Sequence, residues 1–374
     1  MANHAILSAS SSHRWLNCPP SARLCEAYED KGSDYAAEGT DAHTLCEFRL
    51  KQALGIPAEN PIENLSWYNE EMEDCAAGYA AYVTELLETA KQICSDPVVM
   101  IEQRVDFSHW VQDGFGTADC ILIADGVLNI VDYKHGKGVK VNAEGNTQLF
   151  LYSLGALEIF DDIYDIETVR MTIFQPRLSN ISISEVSKTT LLEWADTELT
   201  QKAQLAYEGK GDFHSGEWCR FCKAKAECRE RAEANLTLAK YDFEEPALLD
   251  DEEIADILGK VDALTAWASE VKEYALQQAV SGKEWTGWKL VEGRSNRKYT
   301  NDAVVAATVE GAGFDHYERK VLGITAMQKL LGKSRFEELL APYIEKPQGK
   351  PTLVPESDKR PAMNTAKSDF MEEF

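Results

Sequence analysis

The chain has 374 residues, with 38 Lys and Arg against 63 Asp and Glu, for a formal net charge of −25. A chain this acidic cannot hold nucleic acid by overall charge, so any grip on a polyanion has to be local or mediated by metal ions. With 44% hydrophobic residues, no apolar run near the ~18 residues of a bilayer span, nine cysteines and no secretory-signal pattern, it is expected to fold in a reducing cytoplasm without a disulfide framework.

Residues 1–230 alternate helical and strand patterns. The stretch GTDAHTLCE sets His43 and Glu47 four residues apart, on one helix face. PVVMIEQRVDF (from Pro97), TADCILIA (from Thr117) and VLNIVDY (from Val127) then read as three antiparallel strands. The last two are joined by Asp125-Gly126, a two-residue hairpin signal. AEGNTQLFLYSLGALEIF is helical, with Gln148 and Tyr152 on one face; TVRMTIFQP is a strand, and TTLLEWADTELTQKAQLAYEG a further helix. This order predicts an α/β sandwich around a mixed sheet. Residues 242–256 hold eight acids and no base, the pattern of a solvated connector. A long helical pattern follows at about 250–282, with Ile254, Ile257, Leu258, Val261, Leu264 and Trp267 at helical spacing. NDAVVAATVEG and SRFEELLAPYI are short helices, the second read with a capping box of Ser334 and Glu337. The expected organisation is 1–230 as the main domain, 231–282 as acidic connector and long helix, 283–346 as a small, mainly helical module, and 347–374 as a flexible tail.

The hairpin permits a calculation. A two-residue turn at 125 and 126 pairs residues whose numbers sum to 251, which sets Asp119 across from Asp132, with Lys134 a diagonal neighbour on the same face. Two opposed acids repel, and a divalent ion would offset that repulsion; Mg²⁺ is commonly held by one or two carboxylates plus water and phosphate oxygens. A nearby lysine would then act on the attacking water or the transition state, the chemistry of phosphodiester hydrolysis. The bland reading, in which Lys134 alone neutralises both acids at a sheet end, stands beside it on the hairpin alone.

In order along the chain, Gly39-x3-His43-x3-Glu47, Gly116-x2-Asp119, Asp132-Tyr133-Lys134 and Gln148-x3-Tyr152 resemble the motifs of RecB-type nucleases of the PD-(D/E)XK superfamily, over about residues 8–230. The resemblance implies a restriction-endonuclease-like α/β core, a mixed sheet flanked by helices, with a mainly helical C-terminal appendage. It implies that His43, Asp119, Asp132 and the carbonyl of Tyr133 bind Mg²⁺ or Mn²⁺, with Glu47 a further candidate ligand. Lys134 would act at the water, and Gln148 and Tyr152 would position the substrate strand or the lysine. Here the acid of the last strand is Asp132 where the superfamily more often has Glu. GWKLVEGRSNRKY and KPTLVPESDKRP look like an uncharacterised phage-encoded family of RecB-like proteins.

The spacing Cys219-x2-Cys222-x5-Cys228, with a distant Cys18, is similar to the 4Fe–4S motif of AddB-type and CRISPR-associated RecB-like nucleases; a structural zinc site is the rival. Trp15, Trp218 and Phe221 would shield the cluster, whereas Cys25, Cys46, Cys75, Cys94 and Cys120 read as core or incidental thiols. The expected activity is a DNA exonuclease on single strands or ends in phage recombination or replication, within the host cytoplasm. A non-catalytic DNA-binding accessory and an RNA nuclease are the alternatives. Lys137, Lys140 and Arg177, with Arg294, Arg297 and Lys298 in the appendage, are the candidate phosphate-binding cations. A phage single-strand-binding or annealing protein is the expected partner; the C-terminal SDFMEEF reads as a solvated terminus, with docking to such a partner as the alternative. No membrane partner is expected.

Overall fold

The structure is a computed structural model that describes residues 5–29, 32–237, 249–292, 299–314 and 320–345, with positions 354 and 358. It divides into two compact units, Met1–Gln277 and Gln278–Phe374. The segment expected at 231–282 is therefore split, most of it belonging to the first unit.

The first unit opens with the helices α1 (Ser12–Asn17), α2 (Ser21–Glu26), α3 (Asp34–Ala53) and α4 (Glu70–Ile93). The strands β1 (Val98–Asp106), β2 (Phe115–Ala124) and β3 (Val127–Tyr133) follow, then α5 (Thr147–Tyr164), β4 (Thr168–Gln175) and β5 (Asn180–Ser187). The helices α6 (Lys188–Trp194), α7 (Thr200–Glu208) and α8 (Arg229–Leu236) and most of α9 (Asp251–Val280) complete it. One five-stranded sheet runs in the order β1-β2-β3-β4-β5, with β3 and β4 parallel and every other pair antiparallel. This is the mixed α/β architecture that the sequence predicts.

β5 is the strand the sequence reading omitted. NISISEVS alternates as a one-sided strand, with Ile181 and Ile183 more than half exposed, and it sits at the sheet edge. β3 shows the opposite pattern: every residue from Leu128 to Tyr133 is buried, as expected for a strand covered on both faces.

Two apolar layers cover the sheet. On one side α5 packs Leu149, Leu151 and Leu154 with Ile121, Ile123, Leu128 and Ile130; on the other, α3 and α4 pack Leu45, Met72, Tyr79 and Val83 with Cys120, Val131 and Tyr133. The start of α5 is set by Asn146, whose side chain accepts the N–H groups of Gln148 and Leu149. That cap places Gln148 in the first turn, beside the C-terminal end of β3.

In the second unit the described residues form α10 (Asp302–Gly311), α11 (Ile324–Leu331) and α12 (Lys333–Leu340). The capping box at Ser334 and Glu337 does not form. Gly332, at φ +72°, reverses the chain directly after α11, so α12 begins at Lys333 and Ser334 already lies in its first turn, with no side-chain cap. Among the described residues no helix is long and apolar enough to cross a membrane.

Candidate active site

The hairpin register holds over five pairs, from Ala124↔Val127 to Cys120↔Val131, each summing to 251. It stops one residue short of the acids. Asp119 does not pair with Asp132 in the ladder; its Oδ2 accepts the backbone N–H of Tyr133 at 2.7 Å, so the carboxylate lies in the gap between the two strands. The cause is a slip in side-chain alternation. Ile121, Ile123 and Ala118 all belong to the α5-side cluster, although Ala118 is an odd number of positions, three and five, from the other two. On β1, Met100 and Val105 likewise share that side, five residues apart, and Glu102 between them has φ +50°. A regular pleat would send both acids to one face, whereas the slip turns Asp119 toward α3.

Asp132, on β3, faces α5. Its Oδ1 accepts from Gln148 Nε2 at 3.1 Å, and Lys134 Nζ is 2.9 Å from its Oδ2. Lys134 Nζ also donates to Gln148 Oε1 at 2.9 Å, and Gln148 Nε2 donates to the Tyr152 hydroxyl at 3.1 Å. Gln148 is thereby a clamp that fixes acid and lysine against each other. Gly116 makes room for it, because a Cβ there would meet the Tyr152 ring at 2.7 Å. Asp132 Oδ2 is fully buried and makes no hydrogen bond of good geometry; what it has is the ion pair with the Lys134 ammonium. Burial pushes the Asp132 carboxyl up, the Lys134 charge opposes this, and nearby Asp119 reinforces it. Burial pulls Lys134 down, but Asp132 outweighs it, so the ammonium is held above its ordinary range.

From α3, His43 Nδ1 lies 3.3 Å from Asp119 Oδ1. The Tyr133 ring backs the imidazole edge-on, with centroids 5.4 Å apart. Burial disfavours charge on both His43 and Asp119, yet their mutual attraction prevails: the imidazole is raised and the carboxyl lowered, with Lys134 and the Tyr133 N–H helping the latter. On β1, Glu102, which sequence reasoning missed, comes level with Asp119. The β1–β2 pairs sum to 221, and 102 and 119, which the ladder itself skips, fall at that sum between Ile101↔Cys120 and Gln103↔Ala118. That register is invisible in the sequence because a long irregular connection, not a two-residue turn, joins these strands. His43, Glu102 and Asp119 each offer a ligand atom, all within 4.8 Å of one another. Burial first, and then the Asp119 charge, push the Glu102 carboxyl up to about 7.

Two expected site residues already have partners. Glu47, the further candidate ligand, pairs with Lys51 one turn along α3. Arg177 is not a free cation: it is bound by Glu38 (3.0 Å) and Glu71 (3.1 Å), with its side chain only 7% exposed. Glu38 also lies 3.3 Å from Nε2 of the buried His135, whose Nδ1 meets the Tyr133 hydroxyl at 2.8 Å; this network behind β3 was likewise missed. Lys137 and Lys140 are exposed on the loop after β3. Arg294, Arg297, Lys298 and the SDFMEEF tip lie outside the described residues.

The predicted cysteines do converge. Cys18, Cys219, Cys222 and Cys228 line one cavity between the α1–α2 turn and residues 213–228, rimmed by Arg14, Lys225 and Arg231. Trp218 also lines it, and Trp15 is fully buried nearby in chain order, but Phe221 is 73% exposed and shields nothing. Cys25, read as incidental, has its Sγ 3.7 Å from that of Cys222. The hydrogen bond shared with the Cys222 thiol draws Cys25 down to about 6 against burial, assisted by the Arg14 charge.

The profile of the family described as "Protein of unknown function (DUF2800)" matches residues 4–361. The chain belongs to this family. Among solved structures, one titled "Crystal structure of SSO0001" is similar at 13% identity over 50% of this chain and 95% of its own, with a TM-score of 0.22, too low to carry an argument.

Proposed function

We propose that this member of the family is a metal-dependent DNA nuclease of the RecB-like PD-(D/E)XK kind, an exonuclease acting on single strands or duplex ends. The observation that supports it is the clamp: Asp132 and Lys134 are joined through Gln148 and Tyr152, with Asp119 and His43 converging from the next strand and from α3. A surface ion pair at a sheet end needs none of this, and Asp132 is 1% exposed.

The donor set suits a hard divalent cation. Asp119, Asp132, His43 and the carbonyl of Tyr133 would hold Mg²⁺ or Mn²⁺, and the buried, hydrogen-bond-free Oδ2 of Asp132 is an acceptor of the kind such an ion satisfies. When bound, the ion neutralises phosphate charge and makes its water more acidic. Lys134, kept protonated by Asp132, acts as a fixed cation that orients the water and stabilises developing charge, and not as a base that removes its proton. Gln148 positions that ammonium. Lys137 and Lys140 offer a local grip on the strand, consistent with a net charge that repels DNA elsewhere.

The cysteine cavity is assigned to a 4Fe–4S cluster. What supports it is the convergence of Cys18 with Cys219, Cys222 and Cys228 on one cavity, with a structural Zn²⁺ site as the rival. A role beside a phage single-strand-binding or annealing protein in the host cytoplasm completes the reading.

The test is incubation of the purified protein with end-labelled single- and double-stranded DNA, and RNA, in Mg²⁺, Mn²⁺ or EDTA. Metal-dependent shortening from the ends is expected. Intact substrates in both metals, with the protein folded, would overturn the nuclease assignment.

A further inference from the structure

Glu102 has no place in the motif set above, yet it occupies the position across from Asp119 where an ion would need another donor. Three observations bear on it. Its carboxylate has a ligand atom within 4.8 Å of those of both His43 and Asp119. No hydrogen bond or ion pair serves it among the described residues, whereas Asp119 has His43 and the Tyr133 N–H, and Asp132 has Lys134 and Gln148. Two acids brought this close on neighbouring strands repel, and the imidazole whose ligand atom lies among theirs, His43, is already engaged with Asp119.

We infer that Glu102 is a protein ligand of the active-site cation, completing a His43–Glu102–Asp119 set that selects Mn²⁺ over Mg²⁺. The preference follows from the donors. Mg²⁺ demands oxygen ligands at near-octahedral geometry and retains its water, while a set containing imidazole suits a transition ion better. The strand slip at Glu102 and Asp119 is the device that brings both carboxylates toward α3, where His43 waits. This inference takes from the nuclease reading only the presence of a divalent cation at the site.

The experiment uses the full chain without nucleic acid. Mn²⁺ and Mg²⁺ are titrated calorimetrically into wild type, Glu102→Gln and Glu47→Gln, and thermal midpoints are recorded in EDTA and in saturating Mn²⁺. Wild type is expected to bind Mn²⁺ at least about tenfold more tightly than Mg²⁺. Glu102→Gln should lose tenfold or more of the Mn²⁺ affinity, while Glu47→Gln stays within twofold. In EDTA, Glu102→Gln should be at least as stable as wild type, since it removes an opposed charge; a purely packing role for Glu102 would instead lower its midpoint with and without metal. Mn²⁺ binding by Glu102→Gln within threefold of wild type would overturn the proposal. A wild type that binds Mn²⁺ through Glu102 but cleaves no nucleic acid would sink the nuclease reading and leave this one standing. Full cleavage alongside Glu102-independent binding would do the reverse.

Discussion

The acidic end of the sheet and the cysteine-lined cavity are both assembled from residues far apart in the chain, and they are held in opposite ways. At the sheet end, each charged group except Glu102 is tied to a rigid element: Asp132 to α5 through Gln148, Asp119 to the β3 backbone, and His43 to the Tyr133 ring. The cavity is bounded by a short turn and by residues 213–228, which contribute one 3₁₀ turn (Glu217–Phe221) and otherwise irregular chain. Strands and helices fix a site before any ligand arrives, whereas loops of this kind gain definition from what they bind. The sheet end should therefore keep its shape when its chemistry is removed, and the cavity should not.

The largest contrast is expected from Asp132→Asn. It preserves shape and the Gln148 contact but removes a charge, so cleavage should fall by about 10²–10³-fold, the scale of one preorganised electrostatic contact, with the thermal midpoint nearly unmoved. An active Asp132→Asn would return the pair to the surface-ion-pair reading. The cavity should respond the other way. Cys219→Ser or Cys222→Ser in anaerobically prepared protein should bleach the brown colour and lower the midpoint by several degrees, as losing a long-range cross-link does. Asp132→Asn should leave iron content intact. One zinc and no iron in the wild type would replace the cluster with a zinc site.

A smaller effect tests the clamp indirectly. Gly116→Ala adds a methyl 2.7 Å from the Tyr152 ring, which must shift and carry Gln148 with it. About 1–3 kcal/mol of stability should be lost to overpacking, together with part of the cleavage rate. Cleavage and midpoint both at wild-type level would show that Tyr152 moves freely.

The smallest contrast lies in pH. With metal removed by EDTA, Glu102 has a folded-state pKa near 7 against an unfolded value near 4.5, because burial and Asp119 disfavour its charge. The folded protein then binds the extra proton between those values, so this group lowers stability as pH rises from 4.5 to 7, and its cost is complete above 7. The groups facing it are Asp119 on β2 and His43, Glu47 and Lys51 on α3. Melting curves of wild type and Glu102→Gln should diverge across that window, the variant gaining relative to wild type at the alkaline end. Parallel curves would mean that Glu102 is solvated.

Much of the site was legible in the sequence because it is built from local periodicities. Helical spacing put Gln148 and Tyr152 on one face and the motif resemblance singled them out with His43, while the hairpin arithmetic gave the β2–β3 register over five pairs because a two-residue turn leaves no freedom in pairing. The cysteine spacing likewise identified residues that the fold gathers into one cavity. What the sequence could not decide depends on strands joined by long connections and on departures from regular pleating. Glu102 meets Asp119 only through the β1–β2 register, and the slip that turns Asp119 toward α3 has no sequence period. Arg177 looked like a free cation because Glu38 and Glu71, which bind it, lie 139 and 106 residues away. Cys25 looked incidental because Cys222, its neighbour in space, is 197 residues distant. Local spacing determines which face a side chain occupies; which charge answers which is decided where the chain returns on itself, since the attraction between two charges depends on their separation in space and not along the chain.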